Sequence, residues 1–379
     1  MTVEIIPVTT PALRNVFIRF PWSIYSGDEH WVPPLLMERK DFLNTKKNPF
    51  FSFATAELFL ARKENRWVGR IAAVDDPHFK KHQIPECGVV GMFESVADDE
   101  VAQALFGRAE AWLKERGHTK VLGPLNMSLN HEAGLLVEGF EDDPCLMMTY
   151  NPRYYPSLWE SAGYQPAKDL WAWEIDLSKE LSPKVVAVSK RVEKRNNIVV
   201  RPVDLSNWDQ EVRAIFDLYN DCWVDNWGFV PVTEEEFFHS ASEMKMLVKQ
   251  APDLALIADV DGKPVGFSLT LIDANQGFKD TNGRLFPFGI FKMFRGWKTV
   301  DRVRLILLGV REEYRGRGID AIFYRETFDR VRALGERKGV RIRGEISWTL
   351  DDNDMVNRSI RLMGGERYKT YRVYDKELA

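Results

Sequence analysis

The sequence predicts an α/β protein in which one plan is used twice, each copy a twisted mixed sheet flanked by helices. Three observations carry this. The order strand, helix, hairpin, strand, helix, strand, helix, strand can be read in residues 1–180 and again in 181–379. Arg304–Val310 is an apolar run without an acidic residue, as a buried strand requires. It leads through Arg315-Gly316-Arg317-Gly318 into Ile319–Lys338, where Ile322, Phe323, Phe328, Val331 and Leu334 recur at helical spacing.

In the first copy, Val3–Val8 reads as a strand and Ala12–Tyr25 as helix. Ala56–Lys63 and Arg66–Val74 form a hairpin about Glu64-Asn65. Strand Gly88–Val96 leads to helix Glu100–Arg116, closed by Gly117. Strand Lys120–Leu125, a short helix Arg153–Ala162 and the aromatic strand Leu170–Ile175 complete it. In the second copy, Ile198–Val203 and Trp208–Cys222 repeat the opening. Leu254–Val260 and Lys263–Ile272 repeat the hairpin, now about Asp261-Gly262, which suits a two-residue loop. After the long helix, closed by Gly339, come Val340–Trp348, helix Asp354–Met363 and strand Tyr368–Tyr374. Ser178–Asn197, with Pro183 and a cluster of basic residues, is the expected linker, so the domain boundary is placed near residue 180.

The turn between the apolar strand and the long helix is suited to phosphate. Glycines let the backbone approach a ligand, the helix start offers unpaired N–H groups at a positive dipole end, and two arginines add charge. Val310-Arg-Glu-Glu-Tyr-Arg-Gly-Arg-Gly318 in this setting resembles the pyrophosphate-binding motif of the GNAT (N-acetyltransferase) superfamily. Arg315 and Gly318 match that motif, while Asp320 stands where the family has glycine or alanine. The element order extends the resemblance over the whole second copy and, by order alone, over the first. What it implies is an acyltransferase of tandem GNAT-like domains. Acetyl-CoA or another acyl-CoA would be the donor, and a small-molecule amine the acceptor that attacks directly. Leu308, Val310, Arg315, Gly316, Arg317, Gly318, Ile319, Asp320 and Asn353 are the expected donor-binding residues. The resemblance also implies that a backbone N–H within Ile306–Leu308 polarises the thioester carbonyl. In the first copy the corresponding turn, Glu94–Glu100, is acidic and lacks glycine, so no donor site is expected there.

Amine acylation needs a group to take the proton of the attacking amine and one to protonate the departing thiolate. Glu345, in an otherwise apolar strand beside the expected cleft, is the candidate base; the alternative is an ion pair with one of the many nearby arginines, such as Arg341 or Arg343. Many GNAT enzymes place a tyrosine in the following helix as the acid, but Ile360 stands at the matching position. Tyr371 is the candidate replacement. Two other readings stay open: a non-catalytic CoA-binding or assembly protein, and an N-acyl amino acid synthase that takes its acyl group from an acyl carrier protein.

Two loops and an insertion complete the reading. Asn126, Asn130, His131 and Glu132 follow a strand, where binding residues often sit, and fit an acceptor site or a hydrogen-bonded structural loop equally. Trp223 and Trp227 lie where GNAT proteins shape the acceptor pocket; their spacing also suits a core. The connection Ala274–Val300 contains Leu285–Phe294, too aromatic for a solvent loop. It is read either as a lid over a long acyl chain or as packing against the first copy.

Composition narrows the class. A net charge of −4 argues against a general nucleic-acid binder. Three dispersed cysteines and six dispersed histidines suggest neither a disulfide framework nor a metal site. No stretch reaches the roughly 20 apolar residues of a membrane span. A cytoplasmic protein is expected.

Overall fold

The computed structural model describes residues 2–195, 197–224 and 226–378; Asn196, in the expected linker, and Asp225, beside Trp227, lie outside the described residues. The first half runs β1 (Glu4–Pro7), α1 (Pro11–Arg19), α2 (Pro21–Ile24), α3 (Leu36–Phe42), β2 (Thr55–Lys63), β3 (Arg66–Asp75), α4 (Pro77–His82), β4 (Cys87–Ser95) and α5 (Asp99–Lys114). It continues with β5 (Lys120–Gly123), β6 (Leu125–Asn126), β7 (Glu132–Ala133), β8 (Leu135–Glu138), α6 (Tyr155–Ser161) and β9 (Gln165–Asp176). The expected linker contains a helix, α7 (Pro183–Arg195).

The second half runs β10 (Ile198–Pro202), α8 (Trp208–Trp223), α9 (Glu234–Val248), β11 (Ala255–Val260), β12 (Lys263–Ile272), α10 (Asn275–Phe278) and α11 (Gly289–Lys298). It ends with β13 (Arg302–Val310), α12 (Ile319–Lys338), β14 (Arg343–Leu350), α13 (Asp354–Leu362) and β15 (Glu366–Glu377). The long helix keeps the bounds its apolar spacing predicts, and Gly339 caps it at φ 67°.

The two halves share one sheet. Among the described residues 13 strands join it, in the order β1-β2-β3-β4-β5-β15-β9-β14-β13-β12-β11-β10, with β8 paired to β15 beside that path. The final strands are exchanged: β15 of the second half pairs with β5 of the first, and β9 of the first pairs with β14 of the second. Apolar packing crosses the halves in the same way. Tyr371 and Val373 of β15 lie in a core with Phe17, Leu60 and Leu136, while Trp173 and Ile175 of β9 pack with Leu218, Phe267 and Val303.

The parallel pairs are β4 with β5 and β13 with β14. Each is short. Hydrogen bonding between β13 and β14 runs from Arg302 opposite Arg343 to Leu305 opposite Ile346, after which the strands part. Both β4 and β13 carry an extra residue against their hairpin neighbour, Ile306 in β13, and such bulges bend a strand and increase its twist. Each half therefore has a V-shaped opening at the centre of its sheet.

Candidate active site

The two openings differ chemically. In the first half the chain fills its own V: Asn126 Oδ1 accepts the N–H of Met92, the positive-φ residue of the β4 bulge, at 2.7 Å. A Cβ on Gly91 would lie 1.9 Å from the carbonyl oxygen of Leu125, so only glycine allows this approach. The start of α5 is also occupied, because the Asp98 side chain accepts the N–H of Glu100 at 2.9 Å. Asp98 in turn pairs with Lys63.

In the second half the helix start is left open. Gly318 is the N-cap of α12 at φ 82° and supplies no capping side chain; Gly316, at φ 71°, is the other left-handed residue of the loop. The N–H groups of Gly316, Arg317, Gly318 and Ile319 meet no acceptor among the described residues. Unpaired N–H groups in a glycine loop at an uncapped helix start are the donors an anion uses. Arg315 is anchored, its Nη2 donating to the Cys222 carbonyl at 2.7 Å and its Nε to Val310 at 3.2 Å. Arg317 is exposed, lies 4.8 Å over the Tyr314 ring, and has no carboxylate partner among the described residues. Asp320 lies in the first turn without capping it. The loop thus offers backbone N–H donors and, in Arg317, a cation unpaired among the described residues, the chemistry an anion site uses.

Behind the loop, Leu308 and Val310 pair with Ser268 and Gly266 of β12, while their other edge is free of β14. Trp223 stacks onto this segment so closely that a Cβ on Gly309 would lie 2.6 Å from its ring. Asn353 is the N-cap of α13, accepting the N–H of Val356 at 3.3 Å. Ile360 is fully buried and packs under Gly365.

Where β13 and β14 part, a buried polar cluster forms. Glu345, 2% exposed, accepts hydrogen bonds from the hydroxyls of Ser347 and Tyr368, and its Oε1 lies 3.5 Å from Arg304 Nε. Arg304 also donates to Ser347 Oγ at 2.8 Å and to the carbonyl of Leu146. The arginine that pairs with Glu345 is therefore Arg304, so the ion-pair alternative is met by a different arginine, while Arg341 and Arg343 pair with Asp176 and Glu174. Tyr371 is fully buried nearby, and its hydroxyl has no partner. Burial, then the Glu345 charge, pushes both the Tyr368 and Tyr371 phenols well above their ordinary value, so each keeps its proton at neutral pH. Lys369 is pushed down to about 8, chiefly by burial, and donates to the carbonyls of Gly139 and Asp142. On the α12 side, Glu345 borders a cavity of about 40 Å³ with Thr270, Leu305, Tyr324 and Phe328. A wider cleft of about 310 Å³ lies at the far end of α12, around Gly335–Ile342, away from the Arg-Gly loop.

Tyr368, Ser347 and Arg304 are members that sequence reasoning missed. Tyr368 is the extra residue where the register of β15 on β9 shifts between Arg367 and Lys369. The bulge re-aims its side chain, and strand alternation alone could not indicate it. The residues of the loop after β5 are committed internally. Asn126 holds Met92 and Glu132, Glu132 makes a two-pronged pair with Arg39, His131 bonds Ser128, and Asn130 holds Val230 and Tyr219.

An exchanged-strand sheet, paired V-shaped openings and a glycine-arginine loop at an uncapped helix define the fold: the chain has the tandem GNAT fold. Within it the chain belongs with two relatives matched over nearly their whole length. It is 37% identical over 388 residues to the bacterial ceramide synthase of Caulobacter vibrioides (strain NA1000 / CB15N), covering 99% of this chain and 97% of that one. It is 35% identical over 369 residues to protein YghO of Escherichia coli (strain K12), covering 96% and 93%. No family model matches. Among solved structures, a tandem GNAT protein from the clavulanic acid biosynthesis pathway superposes with a TM-score of 0.56 at 10% identity, covering 100% of this chain and 99% of that one. A GCN5-related N-acetyltransferase from Sphaerobacter thermophilus gives 0.53 at 17% identity, covering 99% and 96%.

Proposed function

We propose that this protein is an N-acyltransferase that moves an acyl group from acyl-CoA to the amine of a long-chain amino alcohol, with one donor site, in the second half. The observation that supports the reading is the uncapped start of α12, whose N–H groups meet no acceptor among the described residues, close in sequence to the edge of β13 that β14 leaves unpaired. The acceptor class follows from the ceramide synthase relative, because a ceramide is the N-acyl derivative of a long-chain amino alcohol.

The bound thioester supplies the activated carbonyl; the chain supplies the rest. The backbone N–H groups around the β13 bulge stabilise the oxyanion formed as the amine nitrogen bonds to that carbonyl. Glu345 takes the proton the amine loses, and Ser347 and Arg304 hold the carboxylate in place. As the carbon–sulfur bond breaks, a protonated phenol gives its hydrogen to the thiolate, and the proton held on Glu345 then restores the phenol. Tyr371, with its unpartnered hydroxyl, is the first candidate and Tyr368 the second.

The test is steady-state acylation of a long-chain amino alcohol by a long-chain acyl-CoA. Glu345→Gln is expected to lower kcat about 100-fold with KM little changed, the usual scale for loss of a general base. Unchanged turnover would remove Glu345 from the mechanism, and failure of the wild type to bind any acyl-CoA in calorimetry would remove the reading itself.

A further inference from the structure

The insertion between β12 and β13 has two faces. Its inner face is part of the core: Met293 and Trp297 of α11 are buried, and Trp297 Nε1 donates to the Ala274 carbonyl at 3.1 Å. It is also tied to the first half. Trp22 Nε1 donates to Asn282 Oδ1 at 2.7 Å, and the Leu36 N–H donates to the Gly283 carbonyl at 2.9 Å. Its outer face carries Phe286, Phe288, Phe291 and Phe294, exposed by 68%, 72%, 70% and 41%. Met37, next to Leu36, is 57% exposed.

Four phenylalanines so exposed present roughly 400–500 Å² of aromatic surface, near the top of what an unpartnered soluble face carries. Around them stand Arg284, Lys292, Arg295 and Lys298, all exposed, and Asp280 is the one acidic residue between 279 and 300. An aromatic ridge fringed by cations on an amphipathic helix has the chemistry of an interfacial membrane helix, matched to anionic headgroups above and acyl chains below.

The ridge is also coupled to the polar cluster. The loop 139–148 gives its Pro144 carbonyl to Asn275 and its Asp143 carboxylate to Lys279 on the insertion side. On the other side it gives its Leu146 carbonyl to Arg304 and its Gly139 and Asp142 carbonyls to Lys369.

We propose that this face docks the protein on an anionic lipid bilayer, so that a membrane-resident amine enters the site without crossing water. The substrate half of this inference rests on the N-acyl transfer reading; the docking does not, and the two fail separately. The test is sedimentation of the full chain with vesicles of phosphatidylcholine alone or with phosphatidylglycerol. Wild type is expected to pellet with the anionic vesicles and to be released by high salt. F288S/F291S is expected to lose at least tenfold in vesicle affinity, and K292E/R295E to lose the preference for phosphatidylglycerol. Both variants should keep wild-type acyl-CoA affinity and thermal midpoint, which excludes misfolding. Wild type left in the supernatant, F288S/F291S that pellets as well as wild type, or a wild-type dimer made monomeric by F288S/F291S would each overturn the proposal, the last by assigning the face to a second copy of the chain.

Discussion

Gly318 and Gly316 differ in what surrounds them, and that difference separates strain from crowding. Both have positive φ, where a Cβ costs roughly 1 kcal/mol. A Cβ at Gly316 would meet nothing within 4 Å, whereas at Gly318 it would lie 2.9 Å from Val192 of α7. Gly318→Ala is therefore expected to weaken acyl-CoA binding at least tenfold, because the helix start and α7 must shift together. Gly316→Ala should weaken it only severalfold. Calorimetric titration with CoA checks both; equal effects would mean that α7 does not buttress the loop. The same helix is fixed further along, where Arg325 donates to Glu193 at 3.0 Å. The glycines were legible in the sequence because they are local, whereas Val192 was not, because the expected linker gave no sign that it would pack on α12.

At the scale of elements, the loop joining β5, β6 and β7 carries a pH-dependent contribution. His131 is packed edge-on against Phe42 and Phe50, and burial pulls its imidazole down to about 4 against the opposing charge of Glu132. The unfolded chain binds a proton near the ordinary pKa of about 6.5, so between that value and about 4 the unfolded state holds more protons than the native one. The stability contributed by neutral His131 is present above about 6.5 and is lost as the pH falls through this window, by on the order of 3 kcal/mol. His131→Asn should flatten that part of the urea midpoint against pH curve; parallel curves for variant and wild type would exclude His131 as the cause. Strand and helix order along the chain was readable because side-chain period reports it directly. The identity of the residues around Glu345 was not, since Arg304, Ser347 and Tyr368 converge through the parting of β13 from β14 and a bulge in β15, neither of which leaves a periodic trace.

At the scale of the molecule, the exchange of final strands makes each half's sheet depend on the other. β15 hydrogen-bonds β5 through Tyr374–Glu377 and β9 hydrogen-bonds β14 through Leu170–Asp176, with β15 and β9 paired between them. The buried Arg302 and Asp273 pair, whose carboxylate also accepts the Leu146 N–H at 2.9 Å, and Lys369 on the carbonyls of Gly139 and Asp142 add polar links across the same boundary. Chains of this length with two similar halves commonly unfold in steps, because each half keeps a core of its own. Here neither half can open without exposing Tyr371, Val373 and Trp173 and breaking the central ladder. Thermal unfolding is therefore expected as one transition, with coincident circular dichroism and tryptophan fluorescence and a van't Hoff enthalpy equal to the calorimetric one. A chain ending at Gly365, which lacks β15, should lose the structure of the first half along with that of the second. Two resolved transitions, or a truncated chain whose first half keeps its slow amide exchange, would mean that the exchanged strands join two independently stable bodies, and that the polar cluster lies at a separable interface instead of inside one cooperative fold.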